Sequence, residues 1–190
     1  SVERILDPKL NDKPVIVGGD PKYGRGVVAA CSYEARAFGL HSAMPIRTAY
    51  KLCPQGIYIH GHGDEYTRFS KTVKNILEQY APLIEQASID EFYLDMTGTQ
   101  KMYGSMFGFA TRLQKEIWDK IGLPISIGIG SNKTVAKIGS DCMKPKGITY
   151  IIPGMEKEFL NPMPVETIPG VGKVMQQSLN DRGIYRIGDI

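Results

Sequence analysis

From Asp64 onward the hydrophobic pattern changes period in a fixed order, and that order limits the folds open to this chain. Tyr66, Phe69, Val73, Ile76 and Leu77 recur at helical spacing and predict an amphipathic helix over 64–80. Two strand-like runs follow between Ile84 and Met96, meeting at Asp90-Glu91. Gly104 to Ile121 reads as a second amphipathic helix carrying Phe107, Leu113, Ile117 and Trp118. Pro124 to Ile129 alternates like a strand, Asn132 to Cys142 is a helix with Ser131 as its cap, and Ile148 to Ile152 is a last strand. The order α-β-β-α-β-α-β becomes a split βαβ (ferredoxin-like) sheet, with helices on one face, once a further strand is added upstream.

The flanking segments differ in texture. Val15 to Val17 is a strand ended by Gly18-Gly19-Asp20-Pro21, and Val27 to Cys31 a second one. Ser32 caps a short helix over 33–38 that Gly39 stops, Pro45 opens a helix to Leu52, and Ile57 to Ile59 is another strand. After Pro153 come short helices, Met163 to Thr167 and Lys173 to Asp181, joined by the turn Ile168-Pro169-Gly170-Val171-Gly172; Gly183 caps the second, and Ile187-Gly188-Asp189 looks like the start of another. The N-terminus lacks the apolar core of a signal peptide, and no run of about 18 apolar residues exists to span a membrane. Cys31, Cys53 and Cys142 form no Cys-x-x-Cys pair, which argues against a disulfide framework or a zinc site and for a cytoplasmic location. The net charge of +3 says little by itself. Its distribution says more: Lys133, Lys137, Lys144 and Lys146 crowd the stretch from Ser131 to Lys146 against Asp141 alone, while acids gather at Asp64-Glu65 and Asp90-Glu91.

Four segments carry candidate chemistry. In Ser88-Ile89-Asp90-Glu91-Phe92-Tyr93-Leu94-Asp95, two adjacent carboxylates sit among apolar strand formers. At a hairpin tip both can reach one place, where their repulsion calls for a cation, and hard oxygen donors suit Mg²⁺ or Mn²⁺. For a bare Asp-Glu pair, a turn with solvated acids is the commoner outcome. Tyr33 and Arg36 share a face of a first helical turn, offering a hydroxyl and a planar fork to an anion; a surface Arg stacked on a Tyr is the plainer alternative. Lys144-Pro145-Lys146-Gly147 is a cationic turn that serves either a phosphate or solubility. Ile168 to Lys173 matches the hairpin of a helix-hairpin-helix motif: Gly170 and Gly172 permit positive φ and close backbone approach, the helix amides can hold a DNA phosphate, and Lys173 adds charge. His60-Gly61-His62-Gly63 reads as a flexible link, not a metal site.

In this order and spacing the segments resemble the Y-family (translesion, DinB or polymerase IV-like) DNA polymerases over essentially the whole chain. Gly26 to Pro45, with Val-Val-Ala-Ala-Cys-Ser-Tyr-Glu-Ala-Arg, is similar to the family's fingers. Ser88 to Asp95 and Ser131-Asn132-Lys133 through Lys144-Pro145 are similar to its palm, and the helix-hairpin-helix to its thumb. The resemblance implies an α+β fold: fingers over 1–61, a ferredoxin-like palm over 62–152 and a partial helical thumb over 153–190. It implies error-prone, template-directed nucleotidyl transfer with two Mg²⁺ ions, or Mn²⁺, held by Asp90 and Glu91. Tyr33, Arg36 and Lys144 bind the triphosphate of a deoxynucleoside triphosphate, and Gly170, Gly172 and Lys173 hold primer-template DNA. It also implies a sliding clamp as a partner of a C-terminal segment. Ser1-Val2-Glu3 resembles the end of the family's opening segment, so the first palm strand, its Asp-x-Asp and the ribonucleotide gate are expected before residue 1, the little-finger domain is absent, and the fragment alone is expected to be inactive. Two alternatives are a palm-type nucleotidyl cyclase, which leaves the helix-hairpin-helix unexplained, and a DNA-binding relative without catalysis.

Overall fold

Short β-branched runs separated by Ser, Asn and Gly punctuation set the elements of the computed structural model, which describes all of residues 1–190. The chain divides within one long helix into two units, Ser1–Lys74 and Asn75–Ile190.

The first unit opens with helix α1 (Val2–Leu6) and a 3-10 turn over Pro8–Leu10, followed by β1 (Val15–Gly18), β2 (Val28–Cys31), α2 (Tyr33–Arg36), α3 (Ile46–Leu52) and β3 (Ile57–Ile59); the long helix α4 (Gly63–Leu77) then begins. Strand β1 is central, antiparallel to β2 with Ile16 opposite Cys31 and parallel to β3 with Val15 opposite Ile57. Ile16, Val28, Leu40, Met44, Ile46, Ala49 and Cys53 bury a common core with Ala35 of α2. Ser32 earns its cap: its Oγ accepts from Ala35 N at 3.3 Å and from Val15 N at 3.1 Å, tying α2 to β1. The helix is shorter than expected, ending at Arg36, because the amides of Phe38 and Gly39 turn back to Ala35 and Arg36 in three-residue steps. The three cysteines are free, and burial pushes each thiol up.

The expected loose link at His60 to Gly63 is instead tied down. Glu3 of α1 is buried and accepts from the His62 backbone amide at 3.0 Å, from His62 Nδ1 at 2.9 Å and from the Tyr66 hydroxyl. A carboxylate reached by that many donors cannot be replaced by water, so the junction is pinned.

The second unit continues with β4 (Leu83–Gln86), β5 (Phe92–Asp95), α5 (Gln100–Tyr103), α6 (Met106–Ile121), β6 (Ile127–Ile129), α7 (Lys133–Cys142), β7 (Ile148–Tyr150), α8 (Glu156–Leu160) and α9 (Lys173–Asn180). From α4 to β7 the order is the expected one with the short helix α5 added, and α8 is a further helix the sequence reading lacked. The strands stand as two ladders, β4 antiparallel to β5 and β6 parallel to β7, so each strand has one neighbour and none within residues 1–190 joins the ladders. Helix α6 starts at Met106, capped by Ser105 Oγ on Gly108 N at 3.3 Å, and ends at Gly122 in the left-handed region. It buries Phe109, Ala110, Leu113 and Ile117. Phe107 and Trp118 are exposed, contrary to expectation; Trp118 lies under the Lys146 ammonium, 3.7 Å from the ring centroid.

Helix α7 is capped by Asn132, not Ser131: Asn132 is extended, at φ −154° and ψ 170°, and accepts from Val135 N at 3.0 Å. Against it β6 packs very closely. A Cβ on Gly128 would sit 1.8 Å from Ala136 O and 2.5 Å from Ser140 N, so only glycine fits there. After residue 153 the expected helix over 163–167 is only a 3-10 turn, Val165–Thr167, because Met163 precedes Pro164 and Ile168, extended at φ −67° and ψ 124°, precedes Pro169, and a residue before proline is held out of the helical region. Another 3-10 turn spans Ile187–Asp189, and no helix is long and apolar enough to cross a membrane.

Candidate metal centre and phosphate-binding hairpin

Gln86 of β4 pairs with Phe92 of β5, and the residues between them fold tightly: Ala87 N and Ser88 N both donate to Glu91 O, at 3.0 and 3.3 Å. Ser88 Oγ donates to Asp90 Oδ1 at 2.7 Å and accepts from Asp90 N at 3.3 Å. The turn thus presents Asp90 exposed at its tip with Glu91 beside it at the root of β5. A chain reversal, not a regular strand, brings the two carboxylates to one end of the hairpin.

Helix α7 lines this hairpin with its lysines. Lys137 pairs with Glu91 and also lies 3.3 Å from Asp141 Oδ2, one turn further on. Asp141 Oδ1 in turn meets Lys144 Nζ at 2.5 Å. Lys133 pairs with Glu85 of β4 and stands over the Tyr93 ring, 5.7 Å from its centroid. Burial works to lower the Lys137 ammonium, but the Glu91 hydrogen bond and the Asp141 and Glu91 charges outweigh it and hold it above its ordinary value. Burial likewise works to raise Asp141, and the Lys144 and Lys137 partners hold it below the usual carboxylate range. The sequence showed the basic strip and the acidic pair separately. That Lys137 bridges them is a tertiary fact, although its spacing to Asp141 and that of Asp141 to Lys144 were visible as i,i+4 and i,i+3 pairs.

Adjacent hard oxygens at an exposed tip fit a divalent cation such as Mg²⁺. No group of three or more His, Cys, Asp or Glu side chains converges anywhere in the chain, so Asp90 and Glu91 fit as part of a coordination sphere that leaves positions for other oxygens.

The structure brings Tyr33 and Arg36 together, the guanidinium 5.9 Å from the ring centroid, both exposed at the outer face of α2. The neighbouring Glu34 is engaged by Arg4, so Arg36 is left without an acid of its own helix. Lys144 belongs to the second unit, in a turn whose bond to Pro145 is cis.

In the hairpin before α9, Val171 N returns to Ile168 O at 3.0 Å and Gly170 takes φ 95°, as expected. Gly172 does not: at φ −85° and ψ 177° it is ordinary extended backbone, serving as N-cap without a side chain. A Cβ at either glycine would meet nothing in the chain, so what Gly172 leaves open is space outside the hairpin. No side chain caps the first turn of α9, whose amides point outward beside exposed Lys173.

The chain as a whole is similar to known proteins. Residues 1–141 match the model of the impB/mucB/samB family, and residues 153–184 that of the IMS family HHH motif. The chain is 46% identical over 190 residues to DNA polymerase IV of Listeria monocytogenes and 44% identical over 192 residues to that of Streptococcus agalactiae. Both alignments cover 100% of this chain and 53% of the relative, so the chain spans about half the length of the curated relatives it matches. Among solved structures, DinB from Sulfolobus solfataricus superposes with a TM-score of 0.90 at 35% identity, covering 99% of this chain and 55% of that one. An insertion ternary complex of Dbh DNA polymerase gives 0.88 at 36% identity, covering 99% and 56%. With the impB/mucB/samB model and the HHH-motif model matched in sequence order, this chain belongs to the impB/mucB/samB family of DinB-like, Y-family DNA polymerases.

Proposed function

We propose that the protein to which this chain belongs is a template-directed DNA polymerase of the translesion type, adding a deoxynucleotide from its triphosphate to a primer 3′-hydroxyl. The observation that carries this reading is the acidic hairpin tip faced by the lysines of α7, in a chain similar to a polymerase solved as an insertion ternary complex.

In this reading Asp90 and Glu91 hold Mg²⁺, with Mn²⁺ a substitute. Held there, the metal would supply Lewis acidity for the attacking hydroxyl and positive charge to offset that of the departing pyrophosphate. The chain's own groups do the positioning. Asp90, fixed by Ser88, presents its oxygens at a set angle. Arg36 grips phosphate oxygens with two parallel N–H donors while Tyr33 supplies a hydroxyl, and Lys144 adds a positive charge. The α9 amides and Lys173 take a phosphate of the duplex without touching a base edge, which suits an enzyme that must accept any sequence. Substrates are therefore primer-template DNA and deoxynucleoside triphosphates. A sliding clamp reached through a segment beyond Ile190, and a cytoplasmic location, complete the proposal.

The test is Asp90→Ala in the full-length protein. Primer extension should fall by orders of magnitude while DNA binding is largely kept. Extension within threefold of the parent would remove Asp90 from the metal site and, with it, this assignment of the hairpin.

A further inference from the structure

Four charged side chains of alternating sign form a continuous line in the second unit: Glu91, Lys137, Asp141 and Lys144. The two ends are groups the proposed reaction uses, one for a cation and one for an anion. The two middle members have no part in it. Each of them has two partners, and Lys137 is the most enclosed of the four, at 20% side-chain exposure against 41–45% for the others. As the structure stands, both working ends are already satisfied internally. An ammonium occupies the carboxylate that would take a metal ion, and a carboxylate occupies the lysine that would take a phosphate.

We propose that Lys137 and Asp141 are positioning residues that form a charge switch, coupling cation binding at Asp90 and Glu91 to anion binding at Lys144; this rests on the metal and phosphate roles assigned above. A divalent cation arriving at Glu91 repels the Lys137 ammonium. That ammonium is already 3.3 Å from Asp141 Oδ2 and closes on it. Asp141, now neutralised by Lys137, loosens its hold on Lys144, which becomes free for a phosphate oxygen. Run in reverse, a phosphate that draws Lys144 away leaves Asp141 to attract Lys137, and Glu91 is vacated for the cation. The two ligands therefore assist each other, as linkage requires of any such coupling. No bond is made or broken; only ion-pair partners exchange.

A merely structural role, pinning α7 to the hairpin, predicts something different. Removing Lys137 would then loosen the hairpin and weaken or leave unchanged its grip on metal. The switch predicts tighter binding, because a competing cation is gone. Asp141 gives the sharper contrast. With Asp141→Asn, Lys137 has only Glu91 to pair with, so cation binding weakens, while Lys144 is released and anion binding strengthens.

The experiment uses the full-length protein without DNA or nucleotide, so no turnover enters. Mn²⁺ affinity is read from the paramagnetic resonance signal of the free ion, and inorganic tripolyphosphate affinity by calorimetry in chelator. Lys137→Met keeps the aliphatic stem and should bind Mn²⁺ about threefold more tightly, the scale of an exposed ion pair. Lys137→Arg should behave as the parent. Asp141→Asn should weaken Mn²⁺ and tighten tripolyphosphate, each by about threefold. Unchanged or weaker Mn²⁺ binding by Lys137→Met overturns the switch, as does an Asp141→Asn variant that moves both affinities the same way or neither. Asp90→Ala separates the two levels. If it abolishes Mn²⁺ binding while Lys137→Met has no effect, the metal site stands and the switch alone falls; if it leaves Mn²⁺ binding intact, the site assignment fails and takes the switch with it.

Discussion

Glu3 shows how much a single side chain can settle that its sequence neighbourhood does not announce. Its carboxylate is buried at 6% exposure and is fixed by His62 and Tyr66, residues about sixty positions away along the chain. Burial works to raise it, but the Tyr66 and His62 hydrogen bonds outweigh that and hold it below the usual carboxylate range, while Tyr66 is pushed up to about 12 by burial and by its bond to Glu3. A carboxylate depressed on folding stabilises the native state fully above its unfolded pKa, near about 4.3, and loses that contribution as pH falls through the folded value. Glu3→Gln should therefore cost about 1–3 kcal/mol at neutral pH, since an amide cannot accept from every donor at once. The difference from the parent in urea unfolding should shrink below about pH 4; a gap that stayed constant into acid would show that lost packing, not the carboxylate, is responsible. Arg36→Ala, in the full-length enzyme, belongs to the same scale. It removes an exposed ground-state contact, so the KM for nucleotide should rise about tenfold with kcat changed less. Unaltered kinetics would reduce Arg36 to its stacking on Tyr33.

At the scale of elements, close packing of β6 on α7 decides where the lysine row lies. Gly128→Ala would drive a Cβ into the backbone of α7 at Ala136 and Ser140, and neither helix nor strand can yield locally. The expected cost is about 1–3 kcal/mol, with the Lys137 face displaced from the hairpin. A thermal midpoint within a degree of the parent would mean α7 is held by something else. The hairpin before α9 offers a paired test. Gly170→Val strains a residue at φ 95° and should weaken binding to every duplex alike, whereas Gly172→Ala meets no atom of the chain and costs the fold only glycine's advantage over alanine as an N-cap, so an affinity loss greater than its stability loss reports a phosphate approaching that amide. If either substitution changed which sequence was preferred, the hairpin would be reading bases. These cases also show what was legible in the sequence. Periodicity located every strand and the longer helices, and the Ser32 cap and the Gly170 turn followed from local chemistry, while the short helices α1, α5 and α8 went unread. Trp118 was set at a distance, lying beneath Lys146 instead of in the core, whereas two misses were local: Asn132 displaces Ser131 as the cap through its extended backbone, and Pro164 and Pro169 hold the residues before them out of the helix expected over 163–167. At the site, the acidic pair and the lysines were readable as residue types. The ion pair joining them required α7 to be laid against β5.

Taken as a whole, the chain distributes its candidate chemistry over two units, with Tyr33 and Arg36 in the first and Asp90, Glu91, Lys144 and the hairpin in the second. Within the second unit each strand of the ladders β4–β5 and β6–β7 keeps one edge without a strand partner. Such edges leave amides and carbonyls unpaired and favour docking of a further strand. Phe92, Tyr93, Leu94, Ile127 and Ile129 are only partly buried on these ladders, as expected of strands that retain surface for another layer or neighbour. A further strand docked on such an edge, if it bore a carboxylate, would supply both a backbone partner and more negative charge. From this we expect residues 1–190 alone to be nearly inactive. Two divalent cations carry four positive charges, against which Asp90 and Glu91 supply two negative ones, and Glu91 is already shared with Lys137. The same polypeptide extended by such a strand should gain metal affinity first, since charge balance needs only the carboxylate. Templated extension should follow only where duplex binding is also sufficient. The measurement is primer extension with Mg²⁺ alongside Mn²⁺ binding, on proteins that differ only in the added strand. Robust extension from the shorter one would mean that a third carboxylate comes from within residues 1–190. The candidate would then be sought among the acids nearest the hairpin, Glu85, Asp95 and Asp141, by substituting each in turn.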